Sequence, residues 1–231
     1  MTPFLDREQA GWMLVDRLRD HGACAGSKER PLVLAIPRGG VVVGAILARG
    51  LAADLDVVLA RKLRAPRQPE LALGAVSETG EVYLNHFAEA MSDIGEAWIA
   101  GERKRQMAEI ERRRAMVRAV RPQAPIRGRT VILTDDGLAT GATMIAALRT
   151  VRAAGPARIV VALPVASPER LPAIEALCDR VECLVIPDDF LAVGQFYRCF
   201  DEVTDDTVVA LLREYGSAAT PWLGQPAAVG A

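Results

Sequence analysis

Asp135 and Asp136 stand side by side between the apolar run Thr130-Val131-Ile132-Leu133-Thr134 and a turn of small residues, Gly137-Leu138-Ala139-Thr140-Gly141-Ala142-Thr143. The turn reads as a helix start, where backbone N–H groups lack intrahelical partners and the dipole favours an anion. Thr140, Gly141 and Thr143 would there hold a phosphate. Carboxylates facing that phosphate would repel it. They fit better as acceptors for neutral hydroxyls one sugar-length away. A ribose 5-phosphate has this layout, a phosphate at one end and a vicinal diol at the other. The bland alternative is an acidic turn capping a helix, with both aspartates in water. So ordered a series of small and polar residues directly after a Val-Ile-Leu strand argues against it.

Competing phosphate patterns fail. A Walker loop, G-x-x-x-x-G-K-S/T, needs a lysine that does not follow Gly141. A dinucleotide fingerprint, G-x-G-x-x-G, is supplied neither by Gly39-Gly40 nor by Gly137 and Gly141.

The elements that must position these groups alternate. Strand-like apolar runs lie at 32–36, 56–60, 130–134, 158–163 and 182–186. Helical stretches lie at 41–51, at 142–154 before the terminator Gly155-Pro156, and at 168–178, with Ser167 as N-cap and Pro168 at the first helical position. Near-continuous apolar strands alternating with helices predict a parallel sheet covered on both faces, an α/β domain. Ligands of such sheets bind at the carboxyl ends of the strands, where Asp135 and Asp136 fall. Residues 1–22 have the pattern of an amphipathic helix. Residues 64–85, with Pro66, Pro69, Gly74 and Gly80, read as loop plus a hairpin. Residues 92–120 read as one long helical arm, packed by a stripe of Met107, Ile110 and Val117. Its charges interleave in sign, which points to a solvated face rather than a nucleic-acid surface.

Composition sets outer bounds. The chain has 231 residues, 51% hydrophobic and 25% charged, enough for one large domain with a real core. Net charge is −1, from 28 basic and 29 acidic residues, so nothing pulls the whole molecule toward nucleic acid or a membrane. Cys24, Cys178, Cys183 and Cys199 form no C-x-x-C pair and have no histidine at zinc-finger spacing, and reduced thiols are expected. No segment reads as a signal peptide, and the apolar runs are too short to span a bilayer, so a soluble cytoplasmic protein is expected. Residues 217–231 read as a loose tail.

The segment Val131-Ile132-Leu133-Thr134-Asp135-Asp136-Gly137-Leu138-Ala139-Thr140-Gly141-Ala142-Thr143 resembles the signature of the type I phosphoribosyltransferases: a hydrophobic strand, two acidic residues, then A-T-G or T-A-G before Gly/Ala and Thr. The similarity extends from Phe4 to about Glu214, toward members whose acceptor is not assigned. It implies a Rossmann-like parallel-sheet core at about 30–186, the arm at 92–120 as an insertion, and a small hood at about 187–203 with the N-terminal segment, all in one domain of residues 1–216.

The resemblance also implies roles. Asp135 through Thr143 would bind the phosphoribose of phosphoribosyl pyrophosphate. Pro37, Arg38, Gly39 and Gly40, after the first core strand, stand where the family holds pyrophosphate through backbone amides. Arg61 and Lys62 close the second strand where basic groups approach it. Plain strand-end readings of both segments remain open. The family's lid would correspond to part of 64–85, with Glu70 and Ser77 as polar candidates. In the hood, Asp188, Phe190 and Tyr197 would meet the acceptor, with Gln195 and Phe196 beside them. Core packing is the alternative there. Mg²⁺ would bridge pyrophosphate and ribose oxygens, reaching Asp135 and Asp136 directly, through water or through substrate. Lys62, Glu70 and Asp136 are candidates for a catalytic role.

The implied reaction displaces pyrophosphate from the sugar by a nitrogen acceptor. Members acting on hypoxanthine or guanine tend to carry Asp just before the Thr-Gly of the turn. Ala139 stands there, which argues against a 6-oxopurine acceptor unless a hood residue such as Asp188 substitutes. The other class of function open to the chain is a non-catalytic regulator that keeps the ribose-phosphate site. A hydrolase acting on a phosphoribosyl compound is a weaker third. Homodimers are common in the family, and the arm could lie across a partner subunit.

Overall fold

Consecutive strand residues point to opposite faces of a sheet, so an unbroken apolar run such as Leu32-Val33-Leu34-Ala35 needs cover on both sides. The computed structural model describes residues 3–24, 29–66, 68–85, 88 and 95–217, and for 68–71, 216 and 217 the backbone alone. The elements in its first half are α1 (Arg7–Asp20), β1 (Leu32–Ala35), α2 (Gly39–Gly50), β2 (Asp54–Val57), β3 (Ala60–Ala65), β4 (Gln68–Ser77) and β5 (Val82–Leu84). Then follow α3 (Glu96–Arg118), β6 (Thr130–Thr134), α4 (Ala142–Ala153), β7 (Arg158–Val165), α5 (Leu171–Glu175), β8 (Arg180–Val185), a 3₁₀ turn (Val193–Phe196) and α6 (Asp205–Ser217).

Among the described residues, a five-stranded parallel sheet runs β2-β1-β6-β7-β8, beside a three-stranded antiparallel sheet, β3-β4-β5. The predicted α/β architecture is what folds. On one face Val33, Ala35, Ile132 and Val160 pack against Leu14, Leu18, Val43 and Leu47 of α1 and α2 and Val208 and Leu212 of α6. On the other, Leu32, Leu34, Val131, Leu133 and Val161 pack against Met144, Ile145 and Leu148 of α4 and Leu171 and Ile174 of α5. Each such fully buried aliphatic stabilises the fold by roughly 1.5–3 kcal/mol before entropy is counted.

Several expectations are corrected. The run read as a strand at 56–60 divides: β2 ends at Val57 and Ala60 opens β3. Residues 64–85 are mostly strand: β4 pairs antiparallel with both β3 and β5 despite Pro69 and Gly74, and β4–β5 is the expected hairpin. The helix placed at 168–178 shortens to α5. Ser167 does not cap it: a turn over 168–170 intervenes, Arg170 stands at the N-cap, and Leu171 begins the helix, while the Ser167 N–H donates to the carbonyl of Leu138 at 2.9 Å. The helix α6 was not anticipated. The tail beyond 217 lies outside the described residues.

The arm is a helix as expected, and Met107, Ile110 and Val117 pack on the core, but its inner face carries polar residues as well. Glu102, Gln106, Ile110, Arg113 and Val117 are the buried positions, while Met107 is only partly covered. Burying charge is tolerable only with partners. Glu102 accepts from Gln106 Nε2 and Arg105 Nε at 2.9 Å each and from the backbone N–H of Arg64 at 3.3 Å, and Arg113 Nε donates to Glu109 at 3.0 Å. So part of the charge run is an internal polar seam against β3, not a solvated face.

Candidate functional site

The chain order reverses between β1 and β6, so the loops leaving their carboxyl ends diverge and open a crevice. Ile36 N–H donates to the carbonyl of Thr134 at 3.0 Å, holding the two exits together to their last residue. After β6 the loop is pinned by Leu138, 3% exposed. Its N–H donates to Val165 and its carbonyl accepts from Ser167, both at 2.9 Å. Gly141 then turns the chain into α4 with φ of +75°, a conformation a side chain would strain.

The first turn of α4 leaves backbone N–H groups without intrahelical acceptors. Beside them the Thr140 hydroxyl is buried and has no hydrogen-bond partner among the described residues. An orphan hydroxyl at a helix start is what an anion cradle looks like before its anion arrives. Thr140→Val keeps the shape and removes the orphan. The ligand-free protein should gain about 1 kcal/mol, read as a higher melting temperature, while phosphate-ester affinity falls by roughly tenfold. Equal affinity in calorimetry would show that Thr140 does not face the ligand.

The opposite wall is made by the loop after β1 and by β3. The Pro37–Arg38 peptide is cis. The loop passes so near the acidic pair that a Cβ on Gly39 would overlap the Asp136 carboxylate, and one on Gly40 would meet the Asp135 Cα at 2.9 Å. Small residues also draw β3 and β4 onto α4, where Ala60, Ala75, Ala142 and Ala146 form one buried cluster. The result is a cleft of about 140 Å³ lined by Pro37, Ala60, Arg61, Lys62, Arg64 and Thr143. Arg61 is held by Gln106 of the arm, Nε to Oε1 at 3.0 Å. Its pKa is lowered, first by burial and then by the charges of Arg113, Arg64 and Arg38, with Glu109 opposing. Cations crowded in this way favour an anion among them. Arg38 itself turns its guanidinium to Glu202.

Asp135 accepts the N–H of Asp136 at 2.8 Å. Burial, and next the charge of Asp136, push its carboxyl well above the usual range, while Lys62 pulls the other way. Asp136 has a cation of its own: Arg7, the first residue of α1, donates from Nε to Oδ2 at 2.8 Å. Tyr197 donates its hydroxyl to the Asp136 carbonyl at 2.7 Å and stacks between Phe4 and Phe200, with ring centroids at 5.3 and 4.9 Å. The N-terminal segment is laced to this region, Arg198 N–H to the carbonyl of Phe4 at 3.0 Å and Cys199 N–H to that of Leu5 at 2.8 Å.

The crevice therefore gathers Pro37, Gly39, Gly40, Arg61, Lys62, Asp135, Asp136, Thr140 and Thr143 from three separate segments. Gly137, Leu138, Ala139 and Ala142 serve as its scaffold. Ser77 is not brought in: it is buried in the β4–β5 hairpin, its hydroxyl on that of Thr79 at 2.7 Å. The Glu70 side chain lies outside the described residues. Of the hood residues, Asp188 is exposed, Phe190 stacks on Phe196 at 5.6 Å, and Tyr197 is buried as a support. Phe200, 36% exposed beside Tyr197, was missed by sequence reasoning along with Arg7 and Arg64. Arg64 was findable from the strand alternation Arg61-Lys62-Leu63-Arg64. Arg7 carried no local signal.

A sheet of this order with an acidic pair and a helix-start cradle at its switch point defines a class, and the chain belongs to it. The family model described as phosphoribosyl transferase domain matches residues 14–200. The crystal structure of TT1426 from Thermus thermophilus is 47% identical in sequence and superposes with a TM-score of 0.75, covering 92% of this chain and 99% of that one. A Mycobacterium tuberculosis protein named "Putative phosphoribosyl transferase Rv0571c" is 40% identical over 212 residues, 92% of this chain but 47% of its own length. The chain thus spans about half of that curated relative.

Proposed function

We propose that the protein transfers phosphoribose from phosphoribosyl pyrophosphate to a nitrogen acceptor, releasing pyrophosphate. The observation that carries this reading is the convergence of three groups around the carboxyl ends of β1 and β6: the orphan-hydroxyl cradle at Thr140, the acidic pair and, from β3, the cationic cleft of Arg61, Lys62 and Arg64. Each suits one part of the substrate. Thr140, Thr143 and the α4 amides hold the 5-phosphate, Asp135 and Asp136 accept from the ribose hydroxyls, and the cleft takes the pyrophosphate.

The C1–O bond breaks with its electron pair leaving on pyrophosphate. The acceptor nitrogen forms the new C1–N bond and gives up its proton to solvent or to the leaving group. An oxocarbenium-like transition state needs positioning and charge stabilisation more than a nucleophile from the protein. Among the described residues no group of three or more His, Cys, Asp or Glu side chains gathers around a metal position. Asp135 and Asp136 nevertheless fit Mg²⁺, which commonly takes one or two carboxylates along with substrate phosphates. Bound there, it would neutralise charge on the departing pyrophosphate.

Ala139 in place of an acid directs the acceptor away from 6-oxopurines. A nucleic-acid-binding regulator is the less favoured reading, because arginines of the arm are engaged by acids of the same chain: Arg105 by Glu102, Arg112 by Glu109 and Asp205, Arg114 by Glu111. Calorimetry with phosphoribosyl pyrophosphate and Mg²⁺, followed by a screen of bases for pyrophosphate release, tests the proposal. Saturable binding and release with one acceptor class are expected. Absence of binding would end the phosphoribose reading, and binding without release by any base would favour the regulator.

A further inference from the structure

A cation in the first turn of a helix opposes the helix dipole, and Arg7 is the first residue of α1. A residue placed against its local preference calls for a tertiary reason. Arg7 has three. Its Nε donates to Asp136 Oδ2 and its Nη1 to the carbonyl of Asp201, each at 2.8 Å, and its guanidinium lies 3.8 Å from the centroid of the Phe200 ring. The ion pair is shielded, with side-chain exposures of 11% for Arg7 and 17% for Asp136.

So many holds on one guanidinium make it a fixed part of the site, not a plug that a sugar displaces. Asp136 is gripped at both ends, by Arg7 at Oδ2 and by Tyr197 at its carbonyl. Among the described residues nothing hydrogen-bonds its Oδ1. We propose that Arg7 is a positioning residue for the sugar: it commits one oxygen of Asp136 to the hood, leaves the other for a ribose hydroxyl, and so ties the acceptor side of the site to the sugar side. The inference rests on the phosphoribose reading and goes beyond it by assigning a role to a residue outside the signature segments.

The test is calorimetry on wild type, Arg7→Met and Arg7→Lys with ribose 5-phosphate and, separately, inorganic pyrophosphate, both with Mg²⁺. Methionine keeps an unbranched apolar stem against Phe200 and removes the charge. Arg7→Met should bind ribose 5-phosphate at least about tenfold more weakly and pyrophosphate within about twofold of wild type, with Arg7→Lys recovering part of the loss. Unchanged ribose 5-phosphate affinity in Arg7→Met would overturn the assignment, as would a parallel loss for both ligands. If Arg7→Met does not fold, Arg7→Lys alone decides: it places its ammonium without the planar fork, so a wild-type affinity for the sugar phosphate overturns the proposal and a selective loss supports it. Failure of wild type to bind ribose 5-phosphate would instead defeat the phosphoribose reading itself, and this inference with it.

Discussion

On the proposed assignment, Asp135→Asn combined with Asp136→Asn should reduce affinity for phosphoribosyl pyrophosphate by about 100-fold or more, because neutral amides replace the acidic pair that would hold the ribose hydroxyls and Mg²⁺. The fold should not suffer. Asparagine at 135 can still accept the N–H of residue 136, and asparagine at 136 can still accept from Arg7. The ligand-free variant should even be as stable as wild type, or more so, at neutral pH. The reasoning is one of linkage. The folded chain holds the Asp135 proton to higher pH than the unfolded chain, where such a carboxyl titrates near about 4. Wild-type stability therefore declines as pH rises from about 4 through the raised folded value, and asparagine, which does not titrate, removes that decline. Calorimetry with Mg²⁺ measures the first effect and thermal melting across pH the second. An unchanged affinity would mean that the carboxylates do not meet the diol.

Gly39→Ala should be nearly as damaging for binding and far worse for stability. One methyl group placed there overlaps the Asp136 carboxylate and comes within 3.1 Å of Arg7 Nε. Neither neighbour is free to yield, since each anchors the other. The loops after β1 and β6 must separate, which is expected to cost about 1–3 kcal/mol, or several degrees of melting temperature. Sugar-phosphate affinity should drop by roughly 100-fold or more as the acidic pair and the pyrophosphate wall lose register. Gly101→Ala is the contrasting control. It lies in the middle of α3 with only the tip of Arg105 nearby, at 4.0 Å, so it should stabilise by up to about 1 kcal/mol through helix propensity and leave binding unchanged. Similar behaviour of the two variants would refute the close-approach argument.

The parts of this molecule that could be read from its sequence are those whose cause is local. The strand from Thr130 to Thr134 and the start of α4 fall where they were expected, because an apolar run, a glycine with positive φ and a helix follow one another without a gap. The parallel sheet followed from near-continuous apolar strands alternating with helices. The β3–β4–β5 sheet was under-read because proline and glycine were weighed as breakers. Gly74 is instead a strand glycine facing the backbone of Tyr83, whose carbonyl leaves no room for a side chain. The polar inner face of α3 defeated a rule that sends apolar residues inward, since Glu102 and Gln106 turn inward to hold Arg64 and Arg61. Arg7 and Asp136 are 129 positions apart, and no pattern of spacing could have joined them. Tyr197 was the right residue for the hood in the wrong role, a buried strut whose neighbour Phe200 carries the open ring.

The lacing of residues 4–7 onto 196–201 has a consequence in time. The strand-like pairing of Phe4 with Tyr197, and the grip of Arg7 on Asp136 and Asp201, join segments far apart in chain order, 194 positions in the case of Arg7 and Asp201, so one is made well before the other. At about 5–20 residues per second, Phe4 and Leu5 wait roughly 10–40 s on the ribosome for Arg198 and Cys199. During that interval the sheet strands, the cradle at Thr140 and the cationic cleft can assemble in turn, while the hood cannot. On the proposed assignment, the phosphate cradle and the cationic cleft can form in a nascent chain before Tyr197 and Asp201 exist to hold Asp136 and Arg7 in place.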